Sequence, residues 1–517
     1  MRDSRRATLI LVLLGMWLAM IAAAASAFLV DPGVRSSPAA VQLVLLLNAC
    51  CFTFFWLAGL KDLVYVAFYY LRRERLIAQI VPPEASAGRE RRERVVLLYC
   101  TADDFDADSL AASLRQDHPG CRAVILDDSK RPESRRSIDG FAAEHGVEVV
   151  RRPERTGFKA GNLNHYLRGR EDYDYLVLLD SDEIVPRDFA SAALRYFDRY
   201  PDAGVVQGNH AATRGRNGFM RLLGPGVQPQ VQTFQTVKHR YGFPHLMGHG
   251  AMVSRECYTA CGGFPEVVME DLAFTVETRE RGYRTVFAPD ILCEEEYPVD
   301  YLAFKKRHSK WTEGTMEFIR RYGMRVLRSR LAWFEKVDLA LSVGILPLAA
   351  LLGLVLILTN VVVLPLLGHA PGYPLWFSAP SAVFMLAPFV NDLVHRIGRP
   401  GRRDLVAYTA VSFLLYGSTF YLTLSMTLRG IFGGRARFVV TPKRGARTSL
   451  AAAIRANHRE LLFSLALVVL ALVTVGTPLP VLMIIVPSYL TVYLSLLGNR
   501  RPAPVPAPTT LQNSGNS

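Results

Sequence analysis

The chain has 517 residues, a formal net charge of +14 and a half-hydrophobic composition, enough for one sizeable soluble domain and more. The positive charge does not point to nucleic acid: Lys and Arg cluster beside apolar runs, as on the cytoplasmic side of membrane spans, and neither zinc-finger spacing nor a heptad-linked basic region occurs. Seven cysteines without a Cys-x-x-Cys pair argue against a disulfide scaffold and for a reduced, cytosolic soluble domain.

Long uncharged runs lie before residue 72 and after residue 336, so a central soluble domain is expected between membrane anchors. The basic start (1–6) precedes an apolar run over 8–30, read as an uncleaved anchor although Ala22 to Ala27 also resembles a signal-peptide cleavage site. A second span, about 41–70, exits into Arg72-Arg73-Glu74-Arg75, which places everything after it in the cytoplasm. Residues 82–94 form a charged linker. A first strand over 94–100 ends in Thr101-Ala102-Asp103-Asp104, and a second over 123–126 ends in Asp127-Asp128-Ser129. Helices are expected over 109–116 and 137–145, a strand over 147–150, and another helix opening at Lys159-Ala160-Gly161-Asn162-Leu163-Asn164. Strands alternating with helices give an α/β doubly wound parallel sheet, with strand-end carboxylates converging on one crevice.

The centre of the pattern is Tyr173 to Val185. The apolar run 176–179 reads as a strand buried on both faces and stops at Asp180-Ser181-Asp182. Two carboxylates one residue apart beyond such a strand can share a hard divalent cation, Mg2+ or Mn2+, that also binds substrate phosphates. An acidic turn is the plainer alternative. Residues 208–247 read as an irregular stretch, followed by Gly248-His249-Gly250-Ala251, where His249 is taken as structural. Glu270-Asp271 then enters a helix ending near Gly282. Residues 305–336 hold ten Lys or Arg interleaved with aromatics, the pattern of an amphipathic helix at a membrane interface.

Beyond it, spans are expected over 339–367 and 375–390, with His395 to Arg403 returning to the inside. The run 405–428 carries no charge, but a crossing there would put the basic stretch 429–459 outside, so it is read as an interfacial or re-entrant helix. Two short spans follow, about 461–475 and 480–497, and the Pro/Ala/Thr/Ser/Asn tail is expected to be disordered. The expected organisation is therefore two transmembrane helices (1–75), a catalytic domain (93–305), interface helices (306–336), two transmembrane helices (337–396), the 405–428 helix with the loop after it (403–450), an interface segment with two more spans (451–498), and a tail (499–517).

From 95 to 443 the chain resembles the membrane-embedded processive glycosyltransferases of family 2, the cellulose, hyaluronan and chitin synthases. The resemblance implies a GT-A type domain in a bacterial-type plasma (inner) membrane. It implies that Thr101, Asp104, Asp127 and Asp128 hold the nucleotide, with Lys159 in the Lys-Ala-Gly-x-Leu-Asn segment, and that Asp180 and Asp182 form the metal-binding Asp-x-Asp. Glu270-Asp271 matches the end of Thr-Glu-Asp, with Met269 replacing Thr; Asp271 inherits the catalytic-base role and Glu270 lies on the acceptor side. Phe438, Val440, Thr441 and Lys443 satisfy Phe-x-Val-Thr-x-Lys, a gating loop over the nucleotide. The family's Gln-x-x-Arg-Trp falls at Arg307 to Trp311: Trp311 is kept at the acceptor, Arg307 replaces Gln and Lys310 replaces Arg at the diphosphate. Lysine keeps the charge without the bidentate fork.

The implied activity is metal-dependent, inverting polymerisation of a sugar from a UDP-type nucleotide sugar into a β-linked polysaccharide carried across the membrane. A non-processive glycosyltransferase acting on a lipid is the alternative, and a binding-only domain the outsider. The implied partners are the donor, a growing glycan or lipid acceptor, membrane lipids and accessory export proteins.

Overall fold

The computed structural model describes residues 2–83, 91–213, 215–370, 373, 375–397, 402–434, 436, 443 and 447–500. The expected tail after residue 500 lies outside them, as do Phe438, Val440 and Thr441.

Seven strands form one sheet: β1 (Val95–Thr101), β2 (Cys121–Asp127), β3 (Glu148–Val150), β4 (Tyr175–Leu179), β5 (Ala203–Ala212), β6 (Ala251–Ser254) and β7 (Arg284–Glu295), in the order β3-β2-β1-β4-β6-β5-β7. The first four are parallel, with Leu98 of β1 beside Val124 of β2 and Leu178 of β4. The sheet is mixed where a wholly parallel one was expected, because β6 runs antiparallel to both β4 and β5. One face buries Leu97, Tyr99, Ile125, Val177 and Leu179; the other buries Val96, Leu98, Val124, Leu176 and Leu178. Covering on both faces explains why β1 and β4 read as continuous apolar runs. Each fully buried Leu or Val contributes roughly 1.5–3 kcal/mol of transfer free energy, so the first carboxylates come only where these strands end. The chain leaves β1 toward β2 on one side and returns to β4 on the other, so the ends of β1 and β4 frame a topological switch point, where α/β sheets bind ligands.

Among the described residues, seven helical stretches are long and apolar enough to cross a membrane: Arg6–Val30, Ala39–Ile80, Trp333–Leu366, Phe377–Arg396, Leu405–Ile431, His458–Val475 and Leu479–Leu497. The long apolar helices indicate an integral membrane protein, and the seven-stranded sheet lies between the second and third stretches. All seven cysteines are unpaired. The helices that matter below are α1 (Arg2–Val30), α2 (Ala39–Ile80), α3 (Phe158–Leu167), α4 (Val227–Tyr241), α5 (Glu270–Glu280), α6 (Tyr301–Arg328), α7 (Trp333–Leu358), α8 (Leu375–Arg396), α9 (Arg402–Gly417) and α10 (Phe420–Ile431).

Three parts of this frame differ from the sequence reading. Residues 208–247 are not irregular: they hold a short helix, Gly218–Leu223, and α4. Helix α4 docks on the membrane helices through polar contacts, Thr233 donating to Asn391 of α8 (2.9 Å) and Lys238 donating to Ser342 of α7 (2.6 Å), with the Asp338 carboxylate beside it at 3.7 Å. The basic segment expected to run to 336 ends as helix at Arg328; the Glu335 side chain accepts from the Ala332 N–H (3.0 Å) and starts α7 at Trp333. The apolar run 405–428 is two helices, parted at Ser418 and Thr419, with the Tyr301 hydroxyl of α6 donating to Ser418 (2.9 Å). Tyr408 of α9 is buried with Phe219, Tyr297 and Tyr301, while α10 lies along α6 through His308–Thr423 (2.9 Å) and Arg429–Glu313 (3.0 Å).

Candidate active site

A cleft of ≈ 210 Å³ opens at the carboxyl end of β4, lined by Lys159, Asp180, Asp182, Gly248, His249, Glu270, Asp271, Glu295, Arg307, Lys310, Trp311 and Lys443 among others. Helix α3 brings Lys159 to the Asp180 carboxylate, and its ammonium also donates to the Gly248 carbonyl (2.9 Å). Burial pushes the Asp180 carboxyl up, but the Lys159 charge, aided by His249 and Lys443, holds it well below the usual range. Lys443 pairs with Asp182 at 2.6 Å, and the other Asp182 oxygen accepts from the Glu296 N–H at 3.1 Å. The acidic turn is thus fixed from both sides while Asp180 stays 40% exposed toward the cleft.

Beneath this turn lies a network absent from the sequence reading. His249 Nδ1 meets Glu183 and its Nε2 lies 3.3 Å from Glu295, so one imidazole joins the end of β4 to the end of β7. Burial opposes charge on His249, yet the Glu183 and Asp180 carboxylates lift its pKa to about 10. Burial raises Glu183 to about 7. Its Oε1 and His210 Nδ1 are buried without a hydrogen-bond partner. Glu183, His210 and His249 offer ligand atoms within 4.8 Å of one another.

The Asp180/Asp182 pair, with the unused Glu183 and His210 atoms beside it, fits a divalent cation. Carboxylate oxygens suit Mg2+ or Mn2+, each Asp already draws an ammonium group to itself, and two buried donor atoms in the adjoining cluster are unused. Asp180 and Asp182 would hold the ion on the cleft side.

Glu270 and Asp271 open α5 and line the same cleft. Asp271 Oδ1 accepts from the Leu272 N–H (2.7 Å), and Gly248 approaches so closely that a Cβ there would stand 3.4 Å from Asp271 Oδ2. Burial raises both carboxyls above their ordinary values, Glu270 further through the charge of Asp271. A carboxylate of raised basicity beside an open cleft is suited to accepting a proton.

Four residues expected at the nucleotide lie outside this cleft. Asp104 braces the turn, accepting from Thr101 (3.0 Å), the Ala102 N–H (2.8 Å) and Ser181 (2.6 Å). Asp127 has a fully buried side chain held by Arg151 (2.6 Å), and Asp128 takes a bidentate grip from Arg152 (2.9 and 2.7 Å). None of Thr101, Asp104, Asp127 and Asp128 lines the cleft. The Arg151-Arg152 pair was present in the sequence as their partner signal.

Residues 101–314 match the family model described as "Glycosyltransferase like family 2". Over these residues the chain is similar to that family. The chain is 24% identical over 286 residues to "Probable glucomannan 4-beta-mannosyltransferase 15" of Arabidopsis thaliana, a match covering 52% of each, so it spans about half the length of that curated relative. Among solved structures it is similar to a mannosyltransferase, PcManGT from Pyrobaculum calidifontis, solved with GDP-Man and Mn2+ (17% identity, 74% of this chain and 96% of that one, TM-score 0.42). It is also similar to residues 1–349 of S. aureus TarS (13% identity, 58% and 91%, TM-score 0.34).

Proposed function

We propose that the chain is an inverting glycosyltransferase that moves a single sugar from a nucleotide-sugar donor to a lipid-linked acceptor at the cytoplasmic membrane surface. The observation that carries the chemistry is the shared cleft, which Asp180, Asp182 and Asp271 line together. Asp271 accepts the acceptor hydroxyl's proton as that oxygen bonds the anomeric carbon, and the carbon–oxygen bond to the nucleoside diphosphate breaks on the opposite side. One base and no enzyme nucleophile mean a single displacement with inversion. Lys159 orients Asp180, and Lys443 and Lys310 add positive charge along the donor side. A bound divalent cation would supply Lewis-acid neutralisation of the departing diphosphate.

The single-sugar reading is favoured by Arg307, whose guanidinium lies over Trp311, 4.7 Å from the ring centroid. It takes a face that a polymer synthase would use for stacking the acceptor sugar. The processive reading keeps one observation in its favour: Lys443, in the stretch resembling the gating loop, reaches Asp182. Membranes containing the protein, incubated with radiolabelled UDP- and GDP-sugars, separate the two. Label extracting into organic solvent as a one-sugar adduct supports the proposal; label in a large insoluble polymer replaces it with the synthase.

A further inference from the structure

The remaining question about this site is what the acceptor carries, and Arg307 bears on it. It lines the cleft on α6, with its guanidinium 5.2 Å from the Tyr297 ring centroid and 4.7 Å from that of Trp311. Two aromatic contacts restrain a guanidinium plane, and a guanidinium recognises anions through planar, bidentate N–H pairs. Lys159 and Lys443 in the same cleft are paired with Asp180 and Asp182. Arg307 forms no ion pair among the described residues, and its Nε is buried with no hydrogen-bond partner. Of the nearby acids, Glu295 lies 3.3 Å from His249 and feels the Arg307 charge only from beyond ion-pair distance, and Glu296 pairs with Arg216. A cation held over two rings, with an unused buried donor and no carboxylate within ion-pair distance among the described residues, is suited to meeting a negative group brought by a ligand.

The position of Arg307 indicates which ligand. Phe304, one turn earlier on α6, meets Tyr416 of α9 with ring centroids 6.1 Å apart. Tyr297 is buried in a cluster that includes Tyr408, Val411 and Leu415 of α9. The Arg307 side of the cleft therefore borders a membrane-associated apolar stretch, while the donor side is the acidic turn.

Resting on the sugar-transfer reading above, we propose that the acceptor carries an anionic oxygen group next to its accepting hydroxyl, bound by Arg307. A phosphate joining the sugar to its lipid is favoured by the apolar border. A uronate carboxylate offers the same chemistry, and the test separates the two sources.

The test uses the full chain in detergent or membranes and three synthetic acceptors: octyl glucoside, octyl glucuronide, and octyl phosphate esterified to the anomeric position of glucose. Wild type is expected to prefer the phosphodiester in kcat/KM by about ten- to a hundredfold over the neutral glucoside, the size of one hydrogen bond to a charged group. Arg307→Gln should collapse that ratio toward one while the donor KM holds, and Arg307→Lys should recover only part of it. A preference for the glucuronide instead assigns the charge to a uronate. Octyl phosphate alone, tested on wild type, should inhibit competitively against acceptor and not against donor, a result independent of how the variants fold. Equal use of charged and neutral acceptors by wild type, or inhibition competitive with donor, overturns the Arg307 assignment and leaves sugar transfer standing. Failure of wild type to bind or consume any nucleotide sugar overturns the transferase reading beneath it.

Discussion

Gly250 sits where three buried side chains converge, and adding one methyl group there tests whether the network under the acidic turn is as tight as it looks. Its φ is +59°, and a Cβ would stand 2.6 Å from Glu183 Oε1, 2.9 Å from His210 Nε2 and 3.2 Å from Cys293 Sγ. Left-handed backbone costs an alanine about 1–2 kcal/mol. None of the three neighbours is exposed to solvent, so overpacking adds about 1–3 kcal/mol. Gly250→Ala should thus lose about 2–5 kcal/mol by the sum of these terms. Gly262 supplies the control, since its φ is +76° and nothing lies within 4 Å of a Cβ there; Gly262→Ala pays only the backbone term. Thermal unfolding in detergent, followed by intrinsic fluorescence, should place the apparent midpoint of Gly250→Ala below that of Gly262→Ala by several degrees, at about 2–4 °C per kcal/mol for a domain of this size. Sugar transfer should fall as well, because Glu183 follows the Asp-x-Asp turn directly. If the two variants melt together, the cluster has room to relax and the account of the turn as rigidly backed is wrong.

Three further outcomes follow from the same geometry. Activity should vanish in excess EDTA and return with Mn2+ or Mg2+, and Asp182→Asn should nearly abolish it; full turnover under chelation would remove the cation from the scheme. The acid limb of kcat/KM should lie above the ordinary Asp value of about 3.9, because burial raises the Asp271 carboxyl and the proton acceptor must be ionised, so activity is lost as pH falls through that raised value. A profile flat down to pH 4 would move the base elsewhere. Leu450→Cys, made without Cys50, should be shielded from impermeant thiol reagents in whole cells and labelled in inverted vesicles; the opposite pattern means that 405–431 crosses the membrane.

The parts of the fold that the sequence announces are those whose cause is local. Strands β1 and β4 are apolar at consecutive positions because both faces are covered, and Asp180 marks the strand end directly. Lys159 and the Glu270-Asp271 pair were legible as motifs, and the structure brings both to the Asp180 cleft. Helix α4 was not legible, since its buried side chains include the polar Thr233, Gln235, Thr236 and Lys238, which break the apolar periodicity; Thr233 and Lys238 bond to polar groups on other helices. Strand β6 is four residues long and antiparallel, so it carries no run to detect. Strand β7 alternates buried and exposed positions over its second half and brings Glu295 to the cleft. His249 gained a place only in three dimensions, between Glu183 and Glu295 from separate strand ends. Asp127 and Asp128 were legible as a motif, while their pairing with Arg151 and Arg152 became apparent only in three dimensions.

The central claim is that Asp271 is the base of a sugar transfer in the cleft it shares with Asp180 and Asp182. Asp271→Asn keeps the shape and cannot take the proton, so it isolates that role. Equilibrium nucleotide-sugar binding and single-turnover transfer should be measured on the same preparation. Transfer should drop about a hundred- to ten-thousand-fold, the usual worth of a general base, with donor affinity held within about twofold. Near-normal transfer by Asp271→Asn, with donor still bound, would contradict the account.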